Sequence, residues 1–409
     1  MSWVLARMRR VHGSTYRAPM QEPKLAPLVL ATMASQALLV ALSTTIVAIS
    51  RGLGASIGAV GQARSVAAGV AILASLAIVG RIDALEVRRL LGVGSGLAIA
   101  ACAAVALAPT LTLFLAAHLL VGLAFACLLS AGFAGVAGFA PERRPWAIGY
   151  VAGANALAWI VVNPIAGAIT EWVSWRAAQV VPAGVAVAAL GATRAARLAP
   201  STAPPITALL RDRSARRWLG AEVIAFGAWT AVLTFVGAFF IERLGVAQTA
   251  AGWMLAAGAA AHFAASSRSG TLVGLIPRRR LVAASALIMA ILFFVLLRLS
   301  ASAPVAIAAF CLAGLAAGVR SPASSGLGLE QMPGHPGAMM AARTAATQLG
   351  YLLGAVVGGA AISHGGYGSL GIVLAIGMAA SAGLILRVDD RLEADPERPG
   401  GKVLGSARP

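Results

Sequence analysis

Long apolar runs separated by short polar segments recur along the whole chain, and their length indicates helices that cross a membrane. A hydrocarbon layer of about 30 Å takes roughly 20 helical residues to cross. Lipid offers backbone amides no water partner, so such runs must be helical. The pattern predicts an all-α membrane protein with twelve transmembrane helices. The runs lie near 27–49, 57–79, 90–108, 111–138, 147–170, 177–193, 218–241, 249–275, 281–299, 303–327, 338–362 and 367–386.

The composition supports a lipid environment. The 409 residues are 59% hydrophobic and 11% charged, whereas soluble domains have roughly 45–50% apolar and about 25% charged residues. A formal charge of +18 also occurs in nucleic-acid-binding proteins. Here the arginines occupy the short gaps between apolar runs, so we expect the lipid bilayer as partner and no nucleic acid.

The distribution of arginine predicts the orientation. If the N-terminus is cytoplasmic, the inner gaps contain most of the basic residues, as the positive-inside rule requires. Both termini are therefore expected in the cytoplasm, with the helices in the plasma (inner) membrane. The arginines of the outer gaps are Arg51, Arg176, Arg243 and Arg298.

Polar segments divide the chain into five parts. Residues 1–26 are basic without an apolar core, so we expect a cytoplasmic segment and no cleaved signal peptide; Met20 is an alternative to Met1 as the first residue. Prolines and arginines indicate a cytoplasmic linker at 194–217. The linker separates two six-helix bundles, 27–193 and 218–386, and 387–409 is expected to be a disordered tail.

Two patterns occur twice at nearly the same offset, which predicts two homologous halves. The stretch GRIDALEVRRLL begins at Gly80, and GTLVGLIPRRRL begins at Gly270, 190 residues later. In the same way, WIVVNPIAGA in helix 5 matches GYLLGAVVGG in helix 11, at an offset of 191. The two bundles should therefore be related by pseudo-symmetry.

These features resemble the major facilitator superfamily, over essentially the whole transmembrane length. Its loop signature between helices 2 and 3 contains a glycine, an acid and paired arginines. Asp83 stands one position early, and the second copy has Gly274 in place of the acid. The resemblance implies a conformational switch in these loops. Its residues would be Gly80, Asp83, Arg88, Arg89, Gly270, Arg278 and Arg279.

The pattern shared by helices 5 and 11 resembles the glycine-proline signature of proton-coupled drug exporters in that superfamily. Glycines four residues apart allow close helix approach, and proline bends a helix. We therefore expect a flexing contact between the halves, although ordinary helix packing explains the pattern equally well. The residues concerned are Pro164, Gly167, Gly354 and Gly358.

No enzyme motif competes with transport. The sequence has no phosphate-binding loop, zinc-protease motif or nucleophile elbow. Cys102, Cys127 and Cys311 lie singly in separate runs without metal-ligand spacing. We expect no enzyme activity, no cofactor and no metal, and transport powered by a gradient.

Polar side chains inside the spans are the best candidates for substrate binding and coupling, because ionisable groups are costly there. Elimination leaves Glu222 as the only carboxylate inside a span, about one turn into helix 7, with His118 as the fallback for proton coupling. Glu222 could also pair with Arg216 or Arg217 at the interface. The resemblance implies that helices 1, 4, 7 and 10 line the cavity. Expected substrate-binding residues are Gln36, His118, Trp229, Arg320 and Arg343.

The sequence favours a monomeric secondary transporter that exports a small amphipathic drug or metabolite by alternating access and proton antiport. Two alternatives stay open. The intramembrane arginines favour an importer or facilitator of a small organic anion, and the degenerate signatures permit a transport-inactive receptor or scaffold. Arg320 is expected to be either a counter-ion for substrate or a structural partner of Glu222.

The topology can be tested with reporter fusions. A reporter fused after Arg217 and one fused after Leu386 should both give a cytoplasmic signal, because an even number of spans separates each of them from a cytoplasmic N-terminus. A periplasmic signal from either fusion would contradict the twelve-span prediction.

Overall fold

The computed structural model describes residues 24–79, 87–139, 143–193, 212–331 and 336–390. Gly80, Asp83, most of the predicted linker and most of the predicted tail lie outside these residues. The described residues form helices joined by short connections, and none of them is in a strand. The helices are α1 Ala26–Leu53, α2 Ile57–Val79, α3 Val87–Leu107, α4 Leu111–Ala134, α5 Arg144–Trp172, α6 Val180–Ala192, α7 Arg213–Ala238, α8 Gln248–Leu275, α9 Arg278–Phe294, α10 Ala303–Gln331 and a last segment, Pro336–Ile385.

The last segment is two helices that meet at a glycine pair. Gly365 and Gly366 have non-helical dihedral angles, and Gly366 has φ 66° and ψ −165°. Only glycine adopts that combination at little cost, since a Cβ would clash with the backbone. We name the two parts α11 (336–364) and α12 (367–385). The predicted twelve helices are thereby present, with ends within a few residues of the prediction.

Nine helical segments of the described chain are long and apolar enough to cross a membrane, if Ala342–Ile385 is counted as one. The short α6 and the less apolar α8 complete the set. Serines and His262 lower the hydropathy of α8. Both coincide with the predicted apolar runs 177–193 and 249–275.

The helices pack as two groups with three seams between them. In the N-terminal half α1 contacts α4, α5 and α6, and α4 also contacts α2 and α3. In the C-terminal half α10 contacts α8 and α9, and the α11–α12 segment contacts α7 and α9. Between the halves, α5 packs on α8, α2 on α11, and α1 on α7. Any site between the halves must therefore lie along these seams.

Polar contacts close the α5–α8 seam at the end of the bundle opposite the chain termini. The backbone N–H of Thr249 on α8 donates to Glu171 of α5 at 2.7 Å, and Gln248 of α8 donates to the carbonyl of Thr44 on α1. A Cβ on Gly167 would lie 2.9 Å from the carbonyl oxygen of Gln248. Gly167 of the predicted patch therefore contacts the other half.

The glycines of α11 pack differently from the prediction. A Cβ on Gly354 would lie 2.1 Å from the carbonyl oxygen of Gly227 on α7, and one on Gly358 would lie 2.9 Å from Phe235 of the same helix. Both glycines therefore serve contact within the C-terminal half, and Gly359 is the one that meets α2. The sequence pattern shows that a backbone approaches closely but does not identify the approaching helix.

The α7–α11 contact can be tested by adding one methyl group. Gly354→Ala should lower the unfolding temperature in detergent, because the clash involves backbone on both sides and overpacking costs about 1–3 kcal/mol. Gly220→Ala is the matched control on α7, since its Cβ would meet nothing nearer than 3.9 Å. The control should be neutral or slightly stabilising, and equal effects of the two substitutions would contradict this packing.

Candidate functional site

The carboxylate of Glu222 lies in the core of the C-terminal half. α7 begins at Arg213, where the side chain of Asp212 accepts a hydrogen bond from the backbone of Ala215. Glu222 is thus in the third helical turn, deeper than predicted, and is fully buried. The predicted pairing with Arg216 or Arg217 is wrong for this reason.

Two arginines neutralise this carboxylate. Arg320 of α10 donates through Nη2 to Oε1 of Glu222 at 2.7 Å, and Arg343 of α11 donates through Nε to Oε2 at 3.0 Å. The hydroxyl of Ser324 donates to Oε1 at 3.0 Å. The structure thus brings together the three predicted residues Glu222, Arg320 and Arg343, which we call the charge triad.

Neighbouring contacts hold the charge triad in place. Ser324 is one turn beyond Arg320 on α10, and its carbonyl and hydroxyl both accept from the indole Nε1 of Trp218 at 3.1 Å. Arg343 also donates to the hydroxyl of Ser321 at 3.2 Å and lies over the ring of Phe226, 5.1 Å from its centroid. Residues of α7 and α10 therefore hold Ser324 and Arg343 in place around Glu222.

The triad has one positive charge in excess. Its two guanidinium groups face a single carboxylate, and charged groups away from water are stable only with well-placed partners. The side chain of Arg343 is 18% exposed, compared with 5% for Arg320 and none for Glu222. Arg343 is therefore the member that a solute can reach.

Arg64 is a second buried cation, in the N-terminal half. It is 3% exposed on α2, and its Nη2 donates to the carbonyl of Leu39 at 2.6 Å and to the hydroxyl of Ser43 at 2.9 Å. Its guanidinium lies 5.9 Å from the ring centroid of Trp159. The described residues place no carboxylate against it, and its Nε has no hydrogen-bond partner.

Arg64 lies at the seam between α2 and α11. The adjacent Ser65 donates to the carbonyl of Leu352 at 3.2 Å. The preceding residue of α11, Tyr351, is close enough to Arg64 and to Arg343 to interact electrostatically with both. Tyr351 also packs edge-on against Phe226, the ring that Arg343 covers. Arg64 and the charge triad therefore approach the same part of α11 from opposite halves.

The other predicted binding residues lie apart from the triad. Gln36 is 8% exposed on α1, on the same helix face as Ser43. His118 is buried in the N-terminal half, where its Nδ1 lies 2.8 Å from the carbonyl oxygen of Phe114. Trp229 stacks with His262, Phe293 and Phe310 at 6.1–6.5 Å. Trp229 is thus surrounded by packing contacts in the C-terminal half.

The arginines of the predicted switch loops occupy two environments. Arg88 and Arg89 are exposed at the start of α3. In the second copy, where Gly270 lies within α8, Arg278 forms an ion pair with Glu330 at the end of α10. The backbone of Arg279 donates to Asp390 at 3.1 Å. The second copy therefore joins α9 to the end of α10 and to the segment after α12.

Several site residues were not assigned from the sequence. Ser321 and Ser324 contact the triad, and Phe226 and Tyr351 line the approach to it. The signal for the serines was their spacing of one and four residues from Arg320. Arg64 lies within the apolar run 57–79, but only the fold shows that no acid of the described residues accompanies it.

The described residues contain no group of three or more His, Cys, Asp or Glu side chains that could hold a metal ion. Cys102 is buried, Cys127 and Cys311 are partly buried, and all three are free thiols. The charged and hydroxyl groups at the site can form ion pairs and hydrogen bonds.

Comparison with known proteins identifies the family. Among curated proteins, none matches this chain. A solved D-xylose-proton symporter has the same fold, with a TM-score of 0.73 and 15% sequence identity, over 89% of this chain and 97% of the symporter chain. The family model for the Major Facilitator Superfamily matches residues 28–217 and 218–409. The chain therefore belongs to the major facilitator superfamily, and it is a multi-pass membrane protein that performs secondary transport.

Proposed function

We propose that this transporter moves a small organic anion together with protons and that the charge triad is its coupling site. The observation that carries the proposal is the fully buried Glu222, paired with Arg320 and Arg343 at 2.7 and 3.0 Å. A carboxylate in such a position can gain a proton only if its partners find another negative charge. An anionic substrate supplies that charge.

The sign of the coupling follows from the charges. Protonation of Glu222 leaves two guanidinium groups without a counter-ion, which favours anion binding at the accessible Arg343. Anion binding at Arg343 withdraws it from Glu222 and so favours the proton. Because linkage is reciprocal, proton and anion bind together. Substrate and proton should therefore cross the membrane in the same direction.

Export of an amphipathic drug or metabolite by proton antiport is the second candidate. The observation that favours it is the contact of Gly167, part of the exporter-like pattern, with α8 of the other half. A cationic substrate would compete with the proton for Glu222, which is what antiport requires. The excess of arginine over carboxylate at the site argues against a cation and for the first candidate.

The remaining features of the proposal come from the sequence. We place the transporter in the plasma membrane as a monomer with both termini cytoplasmic, where an inward proton gradient would drive uptake of the anion. His118 is not required for coupling, because its Nδ1 is held by the Phe114 carbonyl in the N-terminal half. A receptor or scaffold role would need no proton linkage at the triad.

Glu222→Gln should separate proton coupling from substrate exchange. The protein is reconstituted in proteoliposomes with equal pH on both sides, and mono- and dicarboxylates and phosphate esters are added outside one at a time. Transported compounds should acidify the lumen of vesicles that contain the wild type. The variant should lose the acidification but retain counterflow exchange of the labelled anion, because a neutral amide cannot release a proton. A dye inside the vesicles reports pH, and filtration reports exchange.

Two controls define the alternatives. Protein-free vesicles correct for passive entry of weak acids, and Glu242→Gln removes an exposed acid that follows the same helix and should leave acidification unchanged. Lumen alkalinisation by cationic amphipathic compounds would favour the antiport candidate instead. Neither pH change nor exchange with any compound would favour a receptor or scaffold.

The two arginines of the triad should differ in role. Arg320→Met should destabilise the protein by about 3 kcal/mol, because it removes the more deeply buried partner of an ionised carboxylate. Arg343→Met should cost less stability but abolish anion exchange. Thermal unfolding in detergent and counterflow give the two readouts.

A double variant checks the cause of the instability. Glu222→Gln combined with Arg320→Met should be more stable than Arg320→Met alone, because no unbalanced carboxylate is left. Equal stability losses for Arg320→Met and Arg343→Met, with exchange retained in both, would contradict the division of roles.

A further inference from the structure

We propose that Arg64 and Arg343 form a two-arginine site that binds a small dianion between the halves, with one anionic group on each arginine. The inference rests on the proposed function in that the dianion is the transported substrate. It assigns a binding residue to the N-terminal half, where the sequence pattern gave only Gln36 and His118.

The first argument is charge balance. Three arginines, Arg64, Arg320 and Arg343, and one acid, Glu222, meet around this seam, which leaves two positive charges uncompensated. One excess charge lies in the triad and the other is Arg64. Buried cations without counter-ions are unfavourable. A dianion balances both, whereas a monoanion leaves one in place.

The second argument is geometric. The hydroxyl of Ser65 donates to the carbonyl of Leu352 at 3.2 Å, so α2 and α11 are in contact beside Arg64. Arg343 lies eight residues before Tyr351 on α11, which is about 12 Å along the helix at 1.5 Å per residue. Tyr351 packs edge-on against Phe226, which Arg343 covers, and it also interacts electrostatically with Arg64, so both guanidinium groups lie near this residue of α11.

The third argument is the supply of unused donors. The Nε of Arg64 is buried without a hydrogen-bond partner, although a buried donor normally has one. The hydroxyl of Tyr351 and the amide of Gln36 make no hydrogen bond to another described residue. Gln36 lies seven residues before Ser43, which places it on the face of α1 that Arg64 contacts. These groups can bind the carboxylate or phosphate oxygens of the dianion.

The competing interpretation is that Arg64 only ties α2 to α1 through Leu39 and Ser43. A structural contact of this kind requires a hydrogen-bond donor, but it does not require a positive charge. It also does not involve any residue of α11. The two interpretations differ in whether ligand charge matters. This difference decides the experiment.

The test measures binding to the purified, full-length protein without any gradient. Succinate, adipate and phthalate are each compared with butyrate, hexanoate and benzoate, their monocarboxylate counterparts, at constant ionic strength. Glycerol phosphate tests a phosphate dianion. Quenching of tryptophan fluorescence is suitable because Trp159 lies 5.9 Å from Arg64, and the rise in unfolding temperature is an independent readout.

At least one dianion should bind about 10- to 100-fold more tightly than its monoanion, the range expected for one added charge-assisted hydrogen bond. Arg64→Gln should reduce this ratio to about 1, since it removes one of the two charges. Arg64→Lys should retain part of the preference. Ser43→Ala, which removes a structural partner and leaves the arginine, should retain nearly all of it.

Three results would overturn the two-arginine site: equal binding of dianions and monoanions, an unchanged ratio in Arg64→Gln, or no binding of any dianion. Size-exclusion profiles of the variants separate a binding defect from misfolding, and Arg64→Lys keeps the test valid if Arg64→Gln fails to fold. Because no proton gradient is used, Glu222→Gln should pass this test while it fails the acidification test. A loss of proton linkage with dianion preference intact would count against the proposed function alone.

Discussion

The pairing of Glu222 with two arginines constrains the C-terminal half more than any other contact. An ionised carboxylate with no exposed surface needs partners at hydrogen-bonding distance, so α7, α10 and α11 must meet around it at a fixed depth and rotation. The glycine contact between α7 and α11 permits that approach, because Gly227, Gly350 and Gly354 leave the two backbones in contact. Trp218, bound to Ser324, fixes α10 in the same arrangement.

The interactions between the halves differ in kind from the ion pairs within the C-terminal half. Along the described seams they include hydrogen bonds to backbone carbonyls, as from Gln62 to Ala355 and from Ser65 to Leu352, both at 3.2 Å, and one from the backbone of Thr249 to the carboxylate of Glu171 at 2.7 Å. A neutral hydrogen bond contributes only about 1 kcal/mol net and can be exchanged for another of similar strength. The ion pairs of Glu222 lie within one half, where they need not break when the halves rotate, whereas these hydrogen bonds lie on the surfaces between the halves.

The helices could be predicted from the sequence because lipid imposes a minimum length and forbids unpaired backbone groups, which leaves few alternatives for each apolar run. Glu222 could be found by elimination, since every other acid lies near a predicted end or loop. Its depth could not, because the start of α7 at Arg213 depends on the Asp212 cap rather than on apolar residues. The convergence of Arg320 and Arg343 on Glu222 could not be predicted either, because the two arginines are 98 and 121 positions away from it in the sequence. The sequence offered ion pairing as one option for Arg320, and only helix packing decided between the options.

The location of the charge triad also bears on how such a transporter can diverge. All of its members belong to α7, α10 and α11, whereas Arg64 belongs to α2 in the other half. Under the proposed roles, a gene lineage can replace Arg64, Gln36 or their neighbours and acquire a new substrate preference while the half proposed to carry the proton stays unchanged. Duplicated copies of the gene would be free to drift in the N-terminal half, and selection would act most strictly on three helices of the C-terminal one.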